Sequence, residues 1–255
     1  MTAPNGAVLA GTDPTEAAEA AEAAGATEAH TRHWWALAGV LMGGSLLAFA
    51  VPALWLDWQP ALAWVQPWRA VSAAWVHWSE QHLGANLLAA LVVGAYGRAA
   101  QLPRAQAWAW AAAWPLTHLG LLAKPDLLHY GGLSGVLHAG VAIVCLHLLL
   151  CTHGRRRWIG AGVALGLVVK LISEKPWGAA LQNSPDWDIA VAPLAHTTGA
   201  VAGLLCGLVA WAWARRRSAL ATARGSGASA GPWPAAPPAA NPAANPAADP
   251  LQARQ

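Results

Sequence analysis

Residues 133–151 read LSGVLHAGVAIVCLHLLLC, a run without a single Asp, Glu, Lys or Arg. It approaches the ~20 residues that span the apolar core of a bilayer. Its apolar residues are continuous rather than alternating, so the run predicts a helix. Five further apolar segments lie around it, at about 35–54, 82–99, 106–122, 157–174 and 193–213. The expected fold class is therefore all-α, a bundle of six transmembrane helices. The expected organisation is a disordered cytoplasmic tail over 1–33, a six-helix membrane domain over 34–214, and a disordered cytoplasmic tail over 215–255. That last tail is basic first and then rich in Ala, Pro and Asn, with the repeat AANPAANPAADP. The run AEAAEAA in the first tail can form a frayed helix.

Composition agrees. The 255 residues are 56% hydrophobic and only 11% charged, with 17 Trp, one Phe and two Tyr. A soluble domain carries roughly 25% charge, and this chain lacks the charges to cover a water-exposed surface. The net charge of +3 comes from few, scattered basic residues, which argues against a nucleic-acid partner. Cys145, Cys151 and Cys206 fall in apolar runs without zinc-ligand spacing and are expected to be small buried residues.

The basic residues orient the segments. Arg32, Arg98, Arg104, Arg155, Arg156, Arg157, Arg215, Arg216, Arg217 and Arg224 occupy alternate connections, whereas the others hold Arg69, Lys124 and Lys175. This bias places both termini in the cytoplasm. The second, fourth and sixth segments then all run inward, and their N-terminal ends share one depth near the outer face.

Polar residues gather at those ends. His82 and Asn86 are four apart on one face of the second segment. Ser134 opens the fourth within Gly132-Leu133-Ser134-Gly135, and His196 opens the sixth. A serine hydroxyl needs a base to take its proton, and His is the usual one. Side chains of His82 and Asn86, with the N–H of Ser134 in the first turn of its helix, can hold a developing oxyanion. The spans show no acid near His196, so a Ser–His dyad is expected. Gly199, Gly203 and Gly207 form a small-residue stripe that lets helices approach. A lone G-x-S-G is common by chance, and a lone intramembrane His serves equally well as a structural group. Their joint occurrence at one depth favours acyl transfer. The scattered His118, His129, His138 and His147 keep a haem- or ion-handling membrane protein as the alternative. His138, one turn from Ser134, can line the same cavity. Lys170 and Glu174, four apart, read as a mutual pair. Six Trp between the first two segments (Trp55, Trp58, Trp64, Trp68, Trp75, Trp78) predict a loop in the outer interface beside the site.

These residues resemble the rhomboid intramembrane serine protease family over about 35–213. Trp68-Arg69 is similar to the family's Trp-Arg dipeptide in its first loop, and His77, His82 and Asn86 to its H-x₄-H-x₃-N pattern. Gly132–Gly135 is similar to its G-x-S-G, and Ala195-His196-x-x-Gly199-x-x-x-Gly203 to its A-H-x-x-G-x-x-x-G. The resemblance implies Ser134 as nucleophile, His196 as general base, and His82, Asn86 and the Ser134 amide as the oxyanion site. It implies a supporting role for His77 and no metal or cofactor. The partners it implies are the lipid bilayer and transmembrane segments of substrates, cut near their outer ends. The core without an added folded domain, and the Lys170–Glu174 pair, look like the rhombosortase subgroup. That subgroup implies a bacterial cytoplasmic membrane and C-terminal Gly-Gly sorting tails as substrates. A catalytically inactive relative that binds transmembrane helices is the remaining alternative.

Overall fold

Prolines, glycines and one serine cap decide where the helices begin and end. The computed structural model describes residues 14–228, and among these the regular elements are all helices, with α1 (Pro14–Ala48), α2 (Arg69–Ser72), α3 (Glu80–Ala99), α4 (Arg104–Leu119), α5 (Ser134–Cys151), α6 (Gly154–Ser173) and α7 (Pro193–Ala228). The hydroxyl of Ser79 caps α3 by accepting the N–H of His82 at 3.1 Å, and Glu80 adds a negative charge to that first turn. Gln101 in the left-handed region and Pro103 separate α3 from α4. Gly154, at φ +57°, turns the chain from α5 into α6. Pro193 opens α7.

Each of the six apolar segments falls on one long helix. Two helices among the described residues are long and apolar enough to cross a membrane by length and composition: α5, at mean hydropathy 2.0, and Pro193–Thr222 of α7, at 1.5. The others are diluted. α3 is rich in Ala and Gly, α4 in Ala and Trp, α6 carries Arg155–Arg157 and Lys170, and the 16 residues of α4 rise only about 24 Å.

Three boundaries differ from the sequence reading. Residues 14–33, expected as a disordered tail, are helical, because Ala and Glu are strong helix formers. The first segment ends as helix at Ala48 rather than 54, where Pro52 and a 3₁₀ turn at Ala53–Trp55 intervene. At the other end α7 continues through the basic run to Ala228, again over good helix formers. Residues 1–13 and 229–255, parts of the two predicted tails, lie outside the described residues. The chain divides into two units at Arg215/Arg216, and the candidate site lies wholly in the first.

α5 is the central helix. It packs against α3, α4 and α6, and its buried face includes Val136, Ile143 and Val144. Trp34 of α1 stacks on Trp110 of α4 at 4.2 Å, and both indoles spend their N–H on backbone carbonyls, Val93 at 3.1 Å and Val136 at 2.8 Å. α7 lies on α5 through the glycine stripe. A Cβ at Gly199 would collide with the backbone of Gly135, and one at Gly203 with the backbone of Ala139. Cys145 is buried as expected, but Cys151 is exposed at the end of α5 and Cys206 is half-buried.

The loop between α1 and α3 is folded around an ion cluster. Asp57 is fully buried, and its Oδ1 accepts Arg69 Nη1 and Gln59 Nε2, each at 2.8 Å. Arg69 also donates to the carbonyls of Asp57 and Leu54 and to the side chain of Gln66. Of the six loop Trp, Trp55, Trp64, Trp68 and Trp78 face outward, as an interfacial loop requires. Trp58 and Trp75 do not. Trp58 is the buried core of a cluster with Ala63, Ala73, Leu127 and Tyr130, and Trp75 meets Trp114 of α4 edge-on. Breaking a buried ion pair from one side strands the other charge. Asp57→Asn keeps the shape and removes the charge, and should therefore destabilise the fold by about 3–5 kcal/mol. Thermal unfolding in detergent measures it, and an unchanged midpoint would contradict this role for the pair.

Candidate active site

Ser134 is the first residue of α5. The turn before it depends on Gly132, whose φ of +149° strains any residue with a Cβ. The Gly132 N–H donates to the Ala73 carbonyl at 3.0 Å, and the Tyr130 hydroxyl donates to the Gly132 carbonyl at 3.3 Å. Tyr130 and Trp58 exchange both backbone hydrogen bonds, at 2.7 and 2.9 Å. The folded first loop thus holds the turn that presents Ser134.

His196 lies in the first turn of α7, nearly buried. Its Nε2 is 2.9 Å from Ser134 Oγ, and its Nδ1 is 2.7 Å from Glu174 Oε2. Glu174 caps the C-terminus of α6, and its Oε1 takes an N–H from Lys170 one turn earlier. The carboxylate assigns the tautomer: Nδ1–H donates to Glu174, which leaves the Nε2 lone pair for the Ser134 hydroxyl. The ring of His138, one turn along α5, lies parallel to His196 with centroids 4.3 Å apart. Its Nδ1–H donates to the Ser134 carbonyl at 2.7 Å.

His82 and Asn86, both buried on α3, line one cavity of about 680 Å³ together with Ser134, His138, Glu174 and His196. The His82 ring faces the serine turn, since a Cβ at Gly132 would sit 3.1 Å from its Cε1 and Nε2. His77 packs on His82 at 4.8 Å and donates Nδ1–H to the Trp75 carbonyl at 3.1 Å. Burial lowers the His77 pKa to about 4, so this ring supports His82 as a neutral group. The N-terminal ends of α3, α5 and α7 therefore meet at one cavity. Chemically, the set offers an activated hydroxyl, a base held by a carboxylate, and donors on the opposite wall.

The remaining predicted residues sit behind the cavity. Arg69 belongs to the ion cluster, and Trp68 is 55% exposed at the loop surface. Gly135, Gly199 and Gly203 set the approach of α7 to α5. Sequence reasoning missed Glu174 as a partner of His196. The pair with Lys170 is present, but it uses only one carboxylate oxygen. Asp57 was also missed, although a single acid inside a Trp-rich loop was the available signal. Among the described residues no group of three or more His, Cys, Asp or Glu is placed to hold a metal ion.

A comparison with protein-family profiles matches residues 65–213 to the Rhomboid domain. A comparison with the curated proteins finds no match. The geometry makes one prediction of its own. Glu174→Gln keeps the side chain's size but presents an amide to Nδ1, and should slow fluorophosphonate labelling of Ser134 by roughly 10²-fold or more. An unchanged labelling rate would show that the carboxylate does not orient His196.

Proposed function

This chain belongs to the rhomboid family, integral membrane proteins that are in general serine proteases of transmembrane segments, and we propose that it is an intramembrane serine endopeptidase using Ser134, His196 and Glu174. The observation that carries the reading is the continuous chain of contacts from Glu174 through His196 to Ser134 inside one cavity. Ser134 Oγ attacks the scissile carbonyl while its proton passes to His196 Nε2. The Ser134 N–H, His82 and Asn86 receive the oxyanion. The imidazolium, held by Glu174, then gives its proton to the leaving amine as the C–N bond breaks. Water enters by the same base catalysis, hydrolyses the ester and returns Ser134.

The six long helices are the proposed spans, with both termini in the cytoplasm and the cavity at the outer end. The alternation of the arginines supports this orientation. The Lys170–Glu174 pair supports the narrower reading of a rhombosortase acting on C-terminal Gly-Gly sorting tails at a bacterial cytoplasmic membrane. Rhomboid relatives without activity exist, but the intact contact between Ser134 and His196 favours an enzyme.

Purified wild-type protein should react with a fluorophosphonate and cleave a model transmembrane substrate. Ser134→Ala should abolish both, and His196→Ala should reduce both by roughly 10³-fold or more. A wild type that neither labels nor cleaves would sink the proposal, and a haem Soret band in the purified protein would favour a haem-binding membrane protein instead.

A further inference from the structure

The carboxylate arrangement at His196 occurs a second time on the rim of the same cavity. Glu174 gives one oxygen to the ammonium of Lys170 and the other to His196 Nδ1. Asp57 gives one oxygen to the guanidinium of Arg69 and the other to His129 Nδ1, at 2.6 Å. In both cases a carboxylate balanced by a cation fixes one imidazole in place and in tautomer. His196 aims its Nε2 at Ser134. No part of the mechanism above uses His129.

The position of His129 follows from its neighbour. Tyr130 is paired to Trp58 in an extended bridge and turns its ring inward, 5.7 Å from His118. His129 immediately precedes this bridge, on the same stretch of cavity wall. It lines the cavity with Leu54, Gly131 and Ser134, and its side chain is 46% exposed. Among the described residues only Asp57 bonds this ring. With Nδ1 engaged by Asp57, Nε2 is the ring nitrogen left for an occupant of the cavity.

A polypeptide reaching Ser134 must leave its helix there, and its freed backbone N–H groups lose part of their hydration inside the cavity. An unpaired N–H is costly in such surroundings. A rigid acceptor on the rim removes that cost for one of them. We infer that His129, held by Asp57, is a substrate-binding residue whose Nε2 accepts a backbone N–H of the unwound substrate segment beside the scissile bond. The inference rests on the protease reading and names one contact by which the enzyme recognises extended backbone.

Two substitutions separate this role from a structural one. His129→Asn retains a donor near Nδ1 for Asp57 and has nothing at the Nε2 position. His129→Gln reaches the Nε2 position but gives up the bond to Asp57. For a peptide substrate, His129→Asn should raise KM about tenfold, the loss expected for one hydrogen bond. Its kcat, fluorophosphonate labelling and unfolding temperature should stay at wild-type values. His129→Gln should unfold at a lower temperature and keep a near-wild-type KM. N-methylation of successive substrate amides should find one position that weakens binding to wild type but not to His129→Asn. A wild-type KM in His129→Asn, or the absence of any such position, overturns the inference while leaving the protease reading intact. A wild type that neither labels nor cleaves overturns both.

Discussion

The geometry of the site depends on how closely two helices can approach. Ser134 and His196 stand on α5 and α7, so their 2.9 Å contact is set by the distance between helix backbones. At Gly199 that distance leaves no room for a Cβ against the carbonyl of Gly135, and the same holds one turn on, where Gly203 meets Ala139. Without water to drive helices together, such packing of backbone on backbone is what holds them in a bilayer. Thr198, whose hydroxyl donates to the Thr117 carbonyl at 2.8 Å, ties α7 to α4 at the same level. Ser134 and His196 are thus aligned by the part of the fold that tolerates least variation in side-chain size.

Electrostatics complete what packing begins. Two carboxylates sit at the level of the cavity, and each is matched by one permanent cation and one imidazole. A buried acid with a single partner would be a liability, whereas full satisfaction makes it a rigid fixture. His138 adds a flat wall behind His196 and is itself fixed by the carbonyl of Ser134. The His196 ring is therefore confined on three sides, by Glu174, Ser134 and His138.

Much of this was legible in the sequence, for identifiable reasons. The polar residues at the starts of α3, α5 and α7 could be placed together because charge bias predicts a direction for each segment, and one face of a helix is read from spacing alone. Glu174 escaped because it lies at the C-terminal end of a helix running the opposite way, and because Lys170, four residues earlier, already accounted for it. A carboxylate has two oxygens, and sequence spacing reveals only the local partner. The Trp-rich loop was placed near the interface by composition. The inward turn of Trp58 depends on a bridge to Tyr130, more than seventy residues away, and no local pattern encodes that. Helix ends drifted for the ordinary reason that Ala-rich flanks extend a helix once packing has nucleated it.

The connection from α6 to α7 has a peculiar position in this design. It begins at Glu174 and ends just before His196, so it is the covalent tether between the two ends of the carboxylate–imidazole bond. Its residues Leu181, Trp187 and Val191 also form part of the cavity wall. It is fastened to the start of α3 by Ser79 to Asp188, by Gln81 to Asp186 and by an edge-on contact of Trp187 with His82. One stretch of backbone thus walls the cavity and also joins the two partners of the carboxylate–imidazole contact, so the position of that wall and the spacing of Glu174 from His196 are set together.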